Sequence, residues 1–147
     1  RLEGFHATSV VATDRSLWVT QYDIARLLRI DLKSGKVAAR IEVGGSPGGV
    51  IVAAGAVWLH DWERGRLLKV DPRTNRIVNV LNVGTNNSGV AFAGGSVWTI
   101  DMRGQLLRVD PATAAVIRRL SLGAAATLMA RNGMTAEGIA DAARALG

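Results

Sequence analysis

The feature that most constrains this chain is an internal repeat of about 40 residues. Tryptophan occurs at positions 18, 58 and 98, and the strings around them, SLWVTQ, AVWLHD and SVWTID, align without gaps. Leucine, aspartate and glycine recur in the same register, at positions 28, 68 and 107, at 31, 71 and 110, and at 44, 84 and 123. Self-similarity with a period of roughly 20 to 50 residues indicates a repeat architecture. We therefore predict three units, at about 5–44, 45–84 and 85–123.

Each unit contains four short strand-like runs that are separated by turn signals. In the second unit, Gly55 separates the first two runs and the turn at 71–74 separates the last two. Aspartate at the first position of such a turn can hydrogen-bond its own backbone, so we expect Asp31, Asp71 and Asp110 to cap their turns. Four strands in about 40 residues are typical of a β-propeller blade. The predicted fold class is all-β, with blades of four antiparallel strands.

The second strand of each unit is apolar on both sides, which predicts that the blades stack face to face. In the second unit, Val57 and Leu59 point to one side and Trp58 points to the other. A sheet with one solvent-exposed face would alternate apolar and polar residues along each strand. We therefore expect the tryptophans to pack between blades. Three stacked blades leave two outer sheet faces of roughly 350 Å² each, and propellers usually close with about 4 to 8 blades. We therefore expect a segment of a longer propeller or a ring completed by self-association.

The repeat fails after Gly123, and residues 124–147 differ in pattern from the three units. The start of this segment weakly resembles the inner strand of a fourth blade. Further on, Thr135 can cap a helix that carries Glu137 in its first turn. We predict a degenerate strand followed by a short C-terminal helix, which is placed to cover an outer sheet face.

Composition excludes several classes of site. The chain has no cysteine, which rules out disulfides, thiolate metal sites and a cysteine nucleophile but does not choose between a cytoplasmic and an extracytoplasmic location. The longest apolar stretch, at 122–130, is far shorter than the roughly 18 to 20 residues that span a bilayer. No membrane span is predicted.

A basic row is the one feature of charge that repeats with the units. The net charge is +6, and Arg29, Lys69 and Arg108 occupy one repeated position. Such a row attracts anions, but aspartates two residues further on can pair with it, and no aromatic side chains interleave with it as in a nucleic-acid groove. The sequence does not favour nucleic acid as a partner.

The repeats resemble those of the YVTN and streptogramin (virginiamycin B) lyase-like group of bacterial β-propellers. The strings LWVT…LLRIDLKSGKVAARIEVGGSPGGV and VWLH…LLKVDPRTNRIVNVLNVG carry this resemblance, which covers about residues 1–123. The resemblance implies a propeller with its ligand surface at the mouth of the central channel. It does not fix an activity, because blades of this kind serve enzymes, surface proteins and sensor domains alike.

The resemblance places the candidate binding residues near the end of each second strand. They are Gln21, Tyr22, His60, Asp61, Trp62 and Asp101. The lyase would use a divalent metal and a histidine general base with nearby carboxylates. Gln21 replaces one of the three acidic residues that the motif LWFTE implies, and strand parity puts His60 and Asp61 on opposite faces.

The sequence therefore favours a non-catalytic binding or scaffold module, expected to be part of a longer bacterial propeller protein. We expect its partner at the propeller mouth to be a small molecule or a protein, and we predict no cofactor and no metal. The alternative is a streptogramin B lyase-like elimination enzyme, and only this alternative requires a divalent metal. Ligand identity, blade number and oligomeric state stay open at this point.

Overall fold

The computed structural model describes residues 6–84 and 86–121, which form three sheets of four strands. Blade 1 contains β1 (Ala7–Ala12), β2 (Ser16–Gln21), β3 (Arg26–Asp31) and β4 (Val37–Glu42). Blade 2 contains β5 (Pro47–Ala53), β6 (Ala56–Asp61), β7 (Arg66–Asp71) and β8 (Arg76–Asn82). Blade 3 contains β9 (Asn87–Ala93), β10 (Ser96–Asp101), β11 (Gln105–Asp110) and β12 (Ala115–Ser121). All neighbouring strands pair antiparallel in chain order, so the predicted all-β class is confirmed.

Two predictions concern residues outside this description. The degenerate strand and the C-terminal helix of 124–147 lie outside the described residues, and the division of the chain at residue 124 stays a prediction. The described ranges contain no helix that is long and apolar enough to cross a membrane.

Three aspartates cap the turns between the third and fourth strands. The carboxylates of Asp31, Asp71 and Asp110 each accept a hydrogen bond at 2.8 Å from a backbone N–H two or three residues further on. Hydrogen bonds from Ser34 lower the pKa of Asp31, and the backbone N–H of Arg73 does the same for Asp71. The predicted role of these aspartates as turn caps is confirmed.

Tryptophans fill the spaces between the blades. Trp18 shares an apolar cluster with blade 2, and Trp58 shares one with blade 3. The buried members that blade 2 contributes around Trp18 are Val50, Val57, Leu59, Leu68 and Val70. Those that blade 3 contributes around Trp58 are Val90, Val97, Leu107, Val109 and Ala114. Inter-blade packing is confirmed for these two indoles, whereas Trp98 packs with Ala91, Ile100 and Leu106 of its own blade.

The charged groups of the basic row lie over the indole rings. The cations of Arg29, Lys69 and Arg108 lie 5.3, 5.4 and 5.6 Å from the ring centroids of Trp18, Trp58 and Trp98, respectively. At this distance the ring face attracts a cation.

Two of these cations also tie neighbouring blades together. Nη1 of Arg29 donates to the carbonyl of Pro72 at 2.6 Å, and Nζ of Lys69 donates to the carbonyl of Pro111 at 2.7 Å. Pro72 and Pro111 lie on the outer turn of the following blade. The expected pairing of the row with aspartates two residues further on is absent from the ion pairs of the described residues.

The chain passes between blades at one end of the sheets. Strand β5 contacts both β1 and β9, which makes the first strands innermost, whereas the fourth strands are outermost and largely exposed. The links after β4 and β8 lie at the same end as the turns after β2, β6 and β10, because the second and fourth strands of each antiparallel sheet run in the same direction. We call this end of the blades the connection end.

Candidate functional site

The connection end holds all six predicted binding residues, but in two different environments. Tyr22 and Trp62 open the turns after β2 and β6 and are 41% and 42% exposed. The other four are polar or charged and buried: Gln21, His60, Asp61 and Asp101. Their roles in binding stay predictions. The two exposed aromatic side chains can contact a ligand directly. The four buried side chains can only act through the turns and links that they hold in place.

Asp61 is fully buried and holds the link between blades 1 and 2. Its Oδ1 accepts hydrogen bonds from the backbone N–H groups of Ser46 at 2.9 Å and Arg64 at 3.3 Å. Its Oδ2 accepts from Nε of Arg66 at 2.8 Å and also from Nη2 of that residue. Nη2 donates to the carbonyl of Gly44 as well. Each carboxylate oxygen therefore has two protein donors, and the ion pair fastens the link to blade 2.

Gly45 lies directly against this carboxylate. Its φ of +91° is unfavourable for residues with a side chain, and a Cβ at this position would lie 2.3 Å from Oδ2 of Asp61. The link can pass this close to the ion pair because the residue is glycine.

The buried ion pair occurs in only one of the three described blades. In blade 1, Nε of Arg26 donates at 2.7 Å to Oε1 of Glu42, on the outer strand. In blade 3, Gln105 stands at the arginine position. There, Asp101 accepts 2.9 Å hydrogen bonds from the backbone N–H groups of Arg103 and Gln105 and caps its own turn.

His60 is a buried side chain that is held by a backbone hydrogen bond. It is 6% exposed, and its Nε2 accepts a hydrogen bond from the N–H of Gly49 at 2.8 Å. A nitrogen that accepts carries no proton, so the neutral ring holds its proton on Nδ1, which has no partner among the described residues. Burial lowers the pKa of His60 to about 4, and the charge of Asp61 opposes this shift.

The free energy of unfolding is expected to fall as the pH drops from 6.5 toward 4. The folded pKa of His60 is about 4 and the pKa of an unfolded histidine is about 6.5, so the unfolded state binds more protons in this window and the free energy of unfolding rises with pH. The loss is roughly 2 to 3 kcal/mol, measurable by urea unfolding at a series of pH values. His60→Gln should flatten the slope, and the same change at the exposed His6 should leave it unaltered. Equal slopes for wild type and His60→Gln would contradict the assignment.

The metal that the lyase alternative implies does not fit these residues. Nε2 of His60 is occupied by a backbone N–H, and both oxygens of Asp61 are occupied by Arg66 and the backbone. Within 6–84 and 86–121, no three His, Asp or Glu side chains are grouped so that they could hold a metal ion. These residues therefore supply no metal-assisted step.

Sequence reasoning missed a third exposed residue on the same end. Met102 occupies the position of Tyr22 and Trp62 in blade 3 and is 58% exposed. The repeat alignment could have identified Met102, because it places residues 22, 62 and 102 at one position. In blades 1 and 2 the turn is hydrogen-bonded to the segment before the first strand, because the N–H of Trp62 donates to the carbonyl of Ser46 and the N–H of Tyr22 to that of His6, both at 3.0 Å. The connection end therefore presents one large apolar side chain on the turn of each described blade.

Sequence reasoning also missed Asn87, which joins blades 2 and 3. The side chain is fully buried, and its Nδ2 donates to the backbone carbonyl of Arg66 at 3.1 Å. Nothing in the repeat marks this residue, because the other units have Ala7 and Pro47 at its position.

Comparison with known proteins establishes the fold and nothing finer. No family model matches the chain, and none of the curated proteins matches its sequence. Hydrazine synthase from Kuenenia stuttgartiensis matches with a TM-score of 0.72 and 15% identity, over 81% of this chain and 38% of that one. Streptogramin B lyase matches with 0.69 and 14%, over 79% and 40%. The computationally designed Ika4 protein matches with 0.72 and 14%, over 82% and 76%.

The natural proteins in this comparison are β-propellers. The propeller fold that the resemblance implied is therefore confirmed. The chain spans about two fifths of the length of hydrazine synthase and of streptogramin B lyase.

Proposed function

We propose that this chain is a β-propeller binding module that holds its ligand at the connection end, through Tyr22, Trp62 and Met102. One observation carries the proposal: all three described blades expose a large apolar side chain at the same position, by 41%, 42% and 58%. Packing of the fold does not require these side chains, because they contribute to none of the apolar clusters between or within the blades. A contiguous exposed apolar patch marks a contact surface, and we propose that these three side chains line one at the connection end.

The chemistry around these residues favours a ligand with an apolar body and polar edges. Aromatic side chains offer a large contact area and lose little conformational freedom on binding. Charged side chains follow on the same turns, with Asp23 after Tyr22, Glu63 and Arg64 after Trp62, and Arg103 after Met102. A small aromatic molecule or a short peptide segment with an aromatic side chain matches this surface.

We also infer that the module acts within a larger ring. The chain covers about two fifths of the natural propellers to which it is similar, and the three described blades fall short of the usual range of about 4 to 8. A complete ring would place further turns beside these three and enlarge the contact surface.

The proposal does not extend to elimination chemistry, although streptogramin B lyase shares the fold. The ring of His60 is buried and accepts a backbone hydrogen bond, and Asp61 is bound by Arg66. A general base must come within hydrogen-bond reach of the proton that it removes. Neither group faces solvent, so the module is proposed as non-catalytic.

Selection from a random peptide library tests the proposed surface. Peptides selected on the wild-type chain should bind Trp62→Ala at least tenfold more weakly, because buried aromatic anchors usually contribute about 2 kcal/mol or more. The matched control is Val78→Ala on the outer strand β8, since Val78 is 49% exposed and lies away from the connection end. Failure to select any binder, or binders that Trp62→Ala retains in full, would refute the proposal.

A further inference from the structure

We propose that a cleft between blades 1 and 2 binds a small sugar derivative that carries a carboxylate or a phosphate. The cleft lies at the end of the blades opposite the connection end, because its walls include the turn between β1 and β2 in blade 1 and Gly55 and Pro72 on turns of blade 2. Its volume is about 320 Å³, and small-molecule sites occupy roughly 300 to 1,000 Å³. This site goes beyond the proposed function, which it does not require.

The turn between β1 and β2 is the part of the cleft that departs from the repeat. At the equivalent turns, 54–55 and 94–95, blades 2 and 3 have Ala-Gly and Gly-Gly, and all four residues have positive φ, as in a tight type I′ hairpin turn. Blade 1 has Asp14 and Arg15 there, and neither has positive φ. Small uncharged residues therefore satisfy this turn elsewhere in the fold, and blade 1 places two charged side chains beside the cleft instead.

Thr13 holds this turn without using the two charged side chains. Its backbone N–H donates to the carbonyl of Ser16 at 2.9 Å, and its Oγ1 accepts from the N–H of Ser16 at 3.1 Å. Asp14 and Arg15 are both exposed. Within residues 6–84 and 86–121, their side chains form neither a hydrogen bond nor an ion pair. Both can therefore contact a ligand without breaking a contact of the fold.

Arg29 supplies a second guanidinium to the same cleft. Its Nε donates to Oγ of Ser16 at 3.0 Å and its Nη1 to the carbonyl of Pro72 at 2.6 Å, while the ring centroid of Trp18 lies 5.3 Å away. Nη2 has no acceptor in the described part of the chain. These contacts hold the half-buried guanidinium in place, so its remaining N–H groups lose little freedom when they bind a ligand.

The junction between blades 2 and 3 lacks this combination of charges. The residues equivalent to Asp14 and Arg15 are Ala54 and Gly55. Lys69 replaces Arg29, and its ammonium donates to the carbonyl of Pro111 at 2.7 Å. Of the two junctions that the structure describes, only the first therefore brings two guanidinium groups to one cleft.

The two guanidinium groups and the one carboxylate of the cleft define the class of ligand. Guanidinium groups bind carboxylate and phosphate oxygens through paired N–H donors. The carboxylate of Asp14 only accepts hydrogen bonds, so it repels a bare anion and favours a ligand that also has hydroxyl groups. Val52, which is 36% exposed, adds an apolar contact that suits the C–H face of a sugar ring. A sugar acid or a sugar phosphate has all three features.

Titration of the isotope-labelled full chain, followed by NMR, tests the site. The probes are glucuronate and a phosphate monoester of glucose, and glucose and inorganic phosphate are the controls. At least one probe should shift the backbone amides of residues 13–16 and bind roughly tenfold or more tightly than glucose, because glucose lacks the charged hydrogen bonds. It should also bind more tightly than inorganic phosphate, which Asp14 repels. The probe with the higher affinity tells whether the site takes a carboxylate or a phosphate.

Matched variants separate a built site from attraction by net charge. Arg15→Gln should weaken binding of the better probe roughly tenfold. Arg40→Gln makes the same change at an exposed residue of the outer strand β4 and should alter the affinity by less than about twofold, because exposed charges at a distance are screened. Asp14→Ala with Arg15→Gly reproduces the turn of blade 2 and leaves the net charge unaltered, and it should also abolish tight binding. Circular dichroism on each variant checks that the blades stay folded.

Several outcomes would overturn the sugar site. They are the absence of amide shifts at 13–16 with both probes, equal binding of glucose and the probes, and equal losses for Arg15→Gln and Arg40→Gln. Asp14→Ala alone should strengthen the binding of inorganic phosphate and weaken that of the better probe, and a gain for both would refute the role of the hydroxyl groups. Trp62→Ala should leave this site unaltered, so the cleft and the surface at the connection end can fail independently.

Discussion

Trp58→Ala is expected to lower the free energy of unfolding by about 4 kcal/mol. The indole is fully buried between blades 2 and 3, and its Nε1 donates to the carbonyl of Ala53 at 3.3 Å. The ammonium of Lys69 lies 5.4 Å from the ring centroid. Truncation leaves a cavity between two rigid sheets and removes the hydrogen bond and the cation contact together. Urea unfolding followed by circular dichroism measures the loss.

Trp62→Ala is the matched control, because it makes the same chemical change four residues further along the chain. Trp62 is 42% exposed and lies on a turn, so its removal should change the free energy of unfolding by no more than about 0.5 kcal/mol. Similar losses in the two variants would contradict the inter-blade role of Trp58.

The fold was predictable because a propeller repeats its local chemistry. Each blade places aspartate at the start of its outer turn and tryptophan in its second strand, and these residues act mainly within one blade and its neighbour. A local signal that recurs with a fixed period can be read without knowing long-range contacts. The caps at Asp31, Asp71 and Asp110 are the clearest case.

The candidate site was predictable only in part, because the partner of each polar residue depends on which residues stand opposite it on the neighbouring strands. Arg26 and Arg66 are equivalent in the repeat, yet one pairs with Glu42 on the outer strand and the other with Asp61 on the second strand. The register places Asn82 opposite Arg66, where blade 1 has Glu42 opposite Arg26. Arg66 has no acidic residue opposite it on the fourth strand, and it pairs with the aspartate on the second strand instead. Repeat alignment finds equivalent positions but not such changes of partner.

Glycines near the links show the same limitation. Gly48 leaves room for the His60 ring, because a Cβ there would lie 2.0 Å from Nε2 of His60. The sequence shows only a glycine-rich stretch at 44–49, where β5 begins. The side chain that needs this space belongs to β6, and the pairing of β5 with β6 is irregular between Pro47 and Val50. Such an irregularity moves side chains relative to their neighbours and cannot be read from residue types alone.

Asp61→Asn is expected to lower the free energy of unfolding by about 4 kcal/mol, because it removes one partner of a buried ion pair and leaves the other charged. Asp101→Asn is the matched control: that carboxylate caps its turn through backbone N–H groups and not through an arginine side chain, and the change should lower the free energy of unfolding by about 1 kcal/mol. The double variant Asp61→Asn with Arg66→Gln should lose less than the sum of the two single variants, since no charge is then left unpaired. Urea unfolding of the four variants and the wild type completes the cycle. Equal losses for Asp61→Asn and Asp101→Asn, or strict additivity in the double variant, would show that the ion pair does not fasten the link between blades 1 and 2.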